Sequence, residues 1–231
     1  MAYILHIETA TKVCSVALSK DSELIAIRED KSLQYSHSGQ LTTFIEQVIK
    51  NANLELKQLD AVAVSMGPGS YTGLRIGVST AKGICYALDI PLIAVNTPSV
   101  IARFAKTVSE HNTDYIIPMI DARRMEVYCA VFDNSLNQVR ETTAEIIDGS
   151  SFASFLQKGK VLFCGDGSAK CTSILNHPNA IFQSELHASA AGMPVLVYEK
   201  YCNQNFEDIA YFEPFYLKEF VAGKPKVKGL N

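Results

Sequence analysis

The chain has 231 residues, of which 48% are hydrophobic and 19% are charged, and this balance excludes an intrinsically disordered chain. The length suffices for one large domain or for two compact lobes. The formal net charge of -3 excludes a strong overall attraction to nucleic-acid phosphates, so we expect a partner to hold most of any RNA that is involved.

The N-terminal part of the chain predicts a three-stranded antiparallel meander. An apolar run over residues 3–7 is followed by alternating residues over 13–19, and a third strand covers 24–28. The first run ends in a carboxylate and two hydroxyls at a tight turn, formed by Glu8, Thr9, Ala10 and Thr11. Such a turn can hold a phosphate or a hydrated magnesium ion. The alternative is an ordinary hairpin turn with polar residues.

Two helices flank the next buried strand. Leu41 and Ile45 belong to an apolar stripe at helical spacing, which predicts an amphipathic helix over residues 38–51. Residues 60–65 predict a buried strand, and a helix over residues 70–88 follows it after a glycine-rich turn.

That glycine-rich turn and the start of its helix, residues 66–77, are the most informative segment of the sequence. The segment matches neither the Walker nor the Rossmann pattern for nucleotide binding. Gly73, Gly77 and Gly83 lie inside the predicted helix, where each costs about 1 kcal/mol relative to alanine. We therefore expect something to approach this backbone closely. Either the neighbouring helix over residues 38–51 or a second subunit would explain the glycines.

The order of elements in the N-terminal meander occurs a second time. After a strand over 92–95 and a helix over 98–107, an apolar run over 115–120 ends at Asp121, and an alternating strand over 127–132 follows a short turn. This repetition suggests two lobes of shared topology. The alternative is a chance echo among short strands.

The rest of the chain is less regular. Residues 152–156 and 194–202 predict helices on either side of a strand over 161–164. The glycine-containing turn 165–168 fits a phosphate-binding turn or an ordinary turn at a strand end. The basic segment 222–231 predicts a mobile tail.

Several enzyme classes lack the residues they need. The six cysteines are scattered without a CxxC pair and indicate buried thiols. The five histidines contain no pair at the spacing of a zinc protease, and no Gly-x-Ser-x-Gly elbow occurs. No apolar run approaches the ~20 residues that span a bilayer, and no basic leader precedes the first strand, so we expect a cytoplasmic protein without membrane contact.

Six short segments together carry a family resemblance. They are, in chain order, residues 7–11 with 14–18, the glycine segment 67–77, residues 120–123 with 126–128, and residues 213–217. In order and spacing they resemble the TsaB (YeaZ) family, most strongly over residues 1–132, and the glycine segment is also similar to that of the sister family TsaD.

The resemblance implies an α/β protein with the actin-like, hexokinase-related (ASKHA) fold. In this fold two ribonuclease-H-like lobes each contain a mixed sheet flanked by helices. We expect a first lobe over residues 1–97, completed by residues 205–231, and a second lobe over residues 98–204.

The resemblance also implies a role in modifying tRNA. Members of the family bind and support TsaD, together with the ATPase TsaE, in the complex that transfers threonylcarbamoyl to a tRNA adenosine. The resemblance therefore implies a non-catalytic subunit without its own cofactor, which meets ATP or ADP only in complex with TsaD and contacts tRNA indirectly. In isolation, a homodimer is compatible with the family pattern.

Two differences from TsaD support the non-catalytic assignment. TsaD carries a His-x-x-x-His metal motif and glycine-rich nucleotide loops, and this sequence has neither at the matching places. In addition, Glu8 stands where many relatives have Asp, which lengthens the carboxylate arm. We therefore interpret Glu8, Thr9, Ala10 and Thr11 as a vestigial phosphate turn without a bound metal.

The resemblance places the contact with TsaD, and a self-dimer, on the two helices after the first sheet. The interface residues that we predict on these helices are Leu41, Ile45, Ser70, Tyr71, Gly73, Leu74, Gly77 and Ala81. On this basis Gly77→Leu should abolish pairing with TsaD and leave the lone chain folded.

One alternative is an independent enzyme, a small actin-fold kinase or hydrolase that uses the turn at Glu8 to Thr11. Such an enzyme would need an adenosine pocket in the second lobe, and no glycine-rich loop there matches one. Calorimetric titration with ATP separates the two functions. A further alternative, an endopeptidase, lacks a nucleophile or a metal pair.

Overall fold

The computed structural model of the protein describes residues 1–31 and 37–218. The elements up to the first crossover helix are β1 (Tyr3–Glu8), β2 (Cys14–Lys20), β3 (Glu23–Asp30), α1 (His37–Asn51), β4 (Ala61–Gly67), α2 (Tyr71–Leu88), β5 (Leu92–Asn96) and α3 (Thr97–Val108). The later elements are β6 (Tyr115–Asp121), β7 (Glu126–Asp133), β8 (Gln138–Ile146), α4 (Ala153–Leu156), β9 (Val161–Cys164), β10 (Ala180–Gln183) and α5 (Pro194–Cys202).

The strands form two five-stranded sheets of the same topology. The first has the order β3-β2-β1-β4-β5 and the second has the order β8-β7-β6-β9-β10. In each sheet three antiparallel strands are followed by two strands that run parallel to the first of them. The repeated order confirms the predicted α/β fold of two ribonuclease-H-like lobes, the actin-like architecture.

The alternation of side chains along β1 gives the first sheet two buried faces. Leu5 and Ile7 point into the core beneath α1 and α2, whereas Ile4 and His6 point to the opposite face. Because successive side chains in a strand alternate between faces, a strand that is apolar at nearly every position is covered on both sides. The first sheet is therefore a central layer.

Helix α3 crosses from the first sheet to the second. It packs on β6 of the second sheet and on β4 and β5 of the first. A short 3₁₀ turn at Ala190–Gly192 packs against α3, and a Cβ added at Gly192 would lie 2.3 Å from the carbonyl oxygen of Val100. The two crossings of the chain between the sheets are therefore in close contact with each other.

The predicted helices and buried strands are present, but β8 and β10 were not predicted. Both are edge strands of the second sheet, and their residues are exposed or half-buried along much of their length. Strand β8 has polar residues on both faces and β10 has only four residues, so neither shows the apolar alternation on which sequence-based assignment depends.

The lobe boundaries that we predicted remain a prediction. Within the described residues, α5 packs on β5 and β3 of the first sheet, although the sequence placed it in the second lobe. The predicted tail 222–231 and the last part of the segment expected to complete the first lobe lie outside the described residues. No helix within the described part of the chain is both long and apolar enough to cross a bilayer.

Candidate functional site: the cleft between the sheets

A cleft of about 650 Å³ lies between the two sheets. One wall consists of the turn after β1 and the glycine turn after β4, and the opposite wall consists of the turns after β6 and β9. Residues 215–218 of the C-terminal segment form a third wall. The two turns that the sequence compared with phosphate-binding loops thus face one cavity.

Glu8 lies beneath the cleft and not in it. Its side chain is fully buried, and one carboxylate oxygen, Oε1, accepts a hydrogen bond from the Ala10 N–H at 2.7 Å. Among the described residues, its Oε2 atom has no hydrogen-bond partner at standard distance. The carboxylate therefore closes its own turn, and the cleft is lined instead by Ala10, Thr11 and Lys12.

Burial also changes the ionisation of Glu8. Desolvation raises the pKa of its carboxyl to about 7, and the nearby Ser65 hydroxyl and the Ala10 N–H oppose that rise. Near neutral pH the group is therefore partly protonated. A carboxyl in this state is a poor ligand for a divalent cation.

The glycine turn after β4 packs directly on the turn after β1. The Ser70 N–H donates to the Ala10 carbonyl at 2.6 Å, and a Cβ added at Gly69 would lie 2.3 Å from the same oxygen. Ser70 is the N-cap of α2, and its hydroxyl accepts a hydrogen bond from the Gly73 N–H. The glycine at position 69 is required because the two turns share one backbone contact.

Two of the three glycines within α2 also pack on the turn after β1. A Cβ added at Gly73 would lie 2.1 Å from the carbonyl oxygen of Thr9, and one at Gly77 would lie 2.3 Å from Thr9 Oγ1. Nothing lies within 4 Å of a Cβ added at Gly83. Neither of the two expected explanations, a neighbouring helix or a second subunit, is needed for Gly73 and Gly77. The close neighbour is the turn after β1.

The second lobe contributes the charged wall of the cleft. The Asp121 N–H donates to Asp166 Oδ1 at 3.1 Å, and the Asp121 carboxylate pairs with Lys170. Burial raises the pKa of Asp166. No group of three or more metal-ligating side chains was found within residues 1–31 and 37–218. The turn 165–168 packs against the end of β6, as an ordinary turn at a strand end does.

The C-terminal segment joins the cleft from outside. The Phe215 N–H donates to the Met66 carbonyl at 2.7 Å, and Arg75 donates to the Tyr216 hydroxyl at 3.1 Å. Lys218 forms an ion pair with Glu126 of β7. The sequence singled out residues 213–217 only as a family motif, because nothing in the local pattern reveals the distant contacts that these residues make.

A second concave surface lies between α1 and α2. It has a volume of about 600 Å³. Its lining is mostly apolar, with charged residues from α1 at the rim, and includes Ile45, Ile49, Leu54, Leu56, Thr80 and Ile84. We call this surface the helix groove.

The predicted interface residues are mostly interior. Ser70 and Tyr71 are half-buried at the cleft, whereas the buried ones are Leu41, Ile45, Gly73, Leu74, Gly77 and Ala81. Only Ile45 reaches the helix groove. Contact of this set with a partner stays a prediction. The expectation that Gly77→Leu leaves the lone chain folded is wrong, because the new side chain would collide with Thr9.

Comparison with known proteins identifies the family. Residues 31–222 match the family model described as TsaD, tRNA N6-adenosine threonylcarbamoyltransferase. A protein from Buchnera aphidicola subsp. Schizaphis graminum, named tRNA threonylcarbamoyladenosine biosynthesis protein TsaB, is 30% identical over 72% of this chain and 80% of its own length. Proteins of the same name from Haemophilus influenzae and Escherichia coli are 35% and 32% identical.

The extent of these matches is uneven. The alignments span 51% of the Haemophilus influenzae protein and 57% of the Escherichia coli protein, so this chain matches about half the length of those curated relatives. The solved structure of YeaZ from Pseudomonas aeruginosa superposes on 94% of this chain with a TM-score of 0.82 at 23% identity, and it shares the fold. From the sequence matches and the two-lobe topology, the chain belongs to the TsaB family.

Proposed function

We propose that this chain is a cytoplasmic, non-catalytic subunit of the machinery that makes threonylcarbamoyladenosine in tRNA. In this role it binds and supports TsaD, together with TsaE, and contacts tRNA only through the complex. The observation that carries the proposal is membership of the TsaB family, whose curated relatives are named for this biosynthesis.

The chemistry of the cleft supports a non-catalytic role. Within the described residues, the first-lobe side of the cleft presents no carboxylate, since Glu8 is buried and bonded to its own turn. The carboxylates on the second-lobe side are engaged as well, because Asp121 pairs with Lys170 and Asp166 accepts a backbone N–H. Phosphoryl transfer needs a cation that bridges phosphate oxygens, and these side chains are poorly arranged to hold one.

The helix groove is the surface we propose for TsaD, and for a second copy in the isolated protein. Its floor is made of Ile45, Ile49 and Ile84, and its rim carries Glu46 and Lys50. A groove with an apolar floor and a charged rim suits the apolar face of an amphipathic helix. The predicted interface helices therefore contact a partner through their groove-facing residues, and the buried glycines hold the helices in place.

Gly83→Arg separates docking from folding. Position 83 lies one turn from Thr80 on the same face of α2, and a Cβ there meets open space. Replacing an exposed helical glycine should raise the stability of the lone chain by about 0.5–1 kcal/mol. We expect the long cation at the groove to abolish co-purification with TsaD.

The matched control is Tyr86→Ala. Tyr86 is exposed on the same helix, but it lies about 200° around the axis from Ile84, away from the groove. This variant should retain TsaD. If instead Gly83→Arg retains TsaD at wild-type affinity and Tyr86→Ala loses TsaD, the partner binds another face of α2.

Reconstitution tests the role itself. Omitting this chain from a reaction that contains its cognate TsaD, TsaE and threonylcarbamoyl-adenylate synthase should abolish modified tRNA, and the chain alone should give no product. The alternative of an independent actin-fold kinase or hydrolase predicts micromolar ATP binding and turnover by the isolated chain in calorimetry. That outcome would overturn the non-catalytic assignment.

A further inference from the structure

The C-terminal segment is anchored to the first lobe before it reaches the cleft. The Glu207 N–H donates to the Leu92 carbonyl of β5 at 2.9 Å. Lys82 of α2 then donates to the carbonyl oxygens of Ala210 and Phe212 at 3.3 Å and 3.0 Å. These contacts fix the path of the segment along the outside of the first sheet and its helix.

At the mouth of the cleft the segment packs on the glycine turn. The Phe215 N–H bonds to the Met66 carbonyl, and a Cβ added at Gly67 would lie 2.6 Å from the Phe215 carbonyl oxygen. Gly67 also has a φ of +117°. Both the contact with Phe215 and this backbone conformation therefore exclude a side chain at position 67. The backbone of the segment therefore lies directly against the backbone of the first-lobe turn.

An aromatic contact strengthens the same attachment. The rings of Tyr216 and Tyr71 have centroids 5.1 Å apart and are tilted by 38°. The Arg75 guanidinium lies 4.1 Å from the Tyr71 ring centroid and donates to the Tyr216 hydroxyl. Aromatic and cation–π contacts of this kind fix a side chain more firmly than an isolated surface hydrogen bond.

The next residues reach the other lobe. Lys218 forms an ion pair with Glu126 on β7 of the second sheet. Its charge also acts on Tyr128, where it opposes the rise in pKa caused by burial. The backbone carbonyl of Glu126 accepts from Lys170, which in turn pairs with Asp121. The ion pair therefore connects the segment to the charged wall of the cleft.

We propose that residues 213–218 are an interlobe clamp. The two crossings of the chain, at α3 and at the turn Ala190–Gly192, connect the lobes through residues that do not line the cleft. The clamp connects them again at the mouth, and in doing so it fixes the separation of the cleft walls. Release of the clamp lets the lobes move about the crossings and widens the cleft, so the C-terminal segment controls cleft opening.

Hydrogen–deuterium exchange of the full chain tests the clamp. The side chain of Tyr216 contacts the first lobe, through Tyr71 and Arg75. Tyr216→Ala should nevertheless speed exchange about tenfold at the second-lobe turn 121–126, because loss of the ring contact with Tyr71 and of the hydrogen bond from Arg75 releases the clamp. Tyr216→Phe, which keeps the ring, should give a smaller increase at the same turn.

The reciprocal variant is Lys218→Gln, which removes the contact with the second lobe. It should speed exchange about threefold at the first-lobe turn 66–71, since a partly exposed ion pair contributes less. Tyr211→Ala is the matched control, because Tyr211 lies on the same segment but is 84% exposed, and it should change neither turn.

Strands β4 and β6 report on global unfolding, and their exchange should be unchanged in all these variants. The clamp is refuted if Tyr216→Ala speeds exchange only in the segment and the first lobe. It is equally refuted if Tyr211→Ala accelerates the turn 121–126 as much as Tyr216→Ala does. Neither result depends on TsaD or on tRNA modification, so the clamp and the proposed function can fail separately.

Discussion

Three glycines of one helix provide a strong test of the packing around the cleft. Gly73, Gly77 and Gly83 all lie within α2, and alanine at an exposed helix interior is favoured over glycine by about 1 kcal/mol. From helix propensity alone, all three Gly→Ala variants would be more stable than the parent. The surroundings of the three positions instead predict that the change in stability differs in sign among the three variants.

Gly83→Ala should stabilise the fold by the full amount of about 1 kcal/mol, because its Cβ meets no atom within 4 Å. At Gly77 the Cβ would lie 2.3 Å from Thr9 Oγ1, which donates to the Gly73 carbonyl at 2.8 Å. Moving this hydroxyl aside costs its hydrogen bond and some overpacking, so we expect a net loss of about 1–2 kcal/mol.

Gly73→Ala should be the most destabilising of the three. Its Cβ would lie 2.1 Å from the carbonyl oxygen of Thr9, and a backbone atom cannot rotate away as a hydroxyl can. The turn after β1 would have to move, together with its contact to Ser70, at a net cost of about 2–3 kcal/mol.

Urea unfolding followed by circular dichroism measures these differences, since the chain contains no tryptophan. The expected order of unfolding free energy is Gly83→Ala, parent, Gly77→Ala and Gly73→Ala, from most to least stable, with unchanged m-values. If Gly77→Ala and Gly73→Ala stabilise the chain as much as Gly83→Ala does, the close packing of α2 on Thr9 is not a feature of the folded protein.

Two further predictions concern buried ionisable groups. The Glu8 pKa of about 7 exceeds the ordinary value of 4.5, so the folded state holds a proton that the unfolded state releases. The contribution of this group to stability therefore falls as pH rises from 4.5 to 7, by about 3 kcal/mol. The stability of Glu8→Gln relative to the parent should therefore increase between pH 5 and pH 8 in urea titrations, and an equal difference at both pH values would contradict this. Burial lowers the pKa of His6 to about 3, so the contribution of His6 to stability rises with pH up to 6.5. This second effect is the same in both proteins. An aromatic disulfide reagent should rapidly modify one thiol in the native protein, that of the exposed Cys202, and all six thiols in urea. The other cysteines are buried, and burial raises the pKa of Cys14 and Cys164 to about 12. Rapid reaction of a second thiol in the native protein would contradict this and would show that a core opens.

The fold class could be predicted because its signals are local. The apolar run that ends at Glu8 and the one that ends at Asp121 each mark a first strand, and their repetition indicated two lobes. The helical periods of α1 and α2 were equally clear. Strands β8 and β10 were missed because edge strands do not need an apolar face on each side.

The site was only partly predictable. The glycine segment and the turn after β1 were both recognised, but their direct contact was not, and the glycines were assigned to a neighbouring helix or to a subunit interface. Similarly, no local pattern indicates that Glu8 is buried away from the cleft or that the Phe215 N–H donates to the Met66 carbonyl.

The sequence by itself determined which residues form strands and helices and which of their faces are apolar, because these properties depend on neighbours a few positions away. Only the tertiary structure decided that Thr9 fills the space left by Gly73 and Gly77, and that Lys218 reaches Glu126 across the cleft. Such contacts join residues far apart in the chain. They depend on how whole sheets and helices pack, and the spacing of residue types carries no record of that packing.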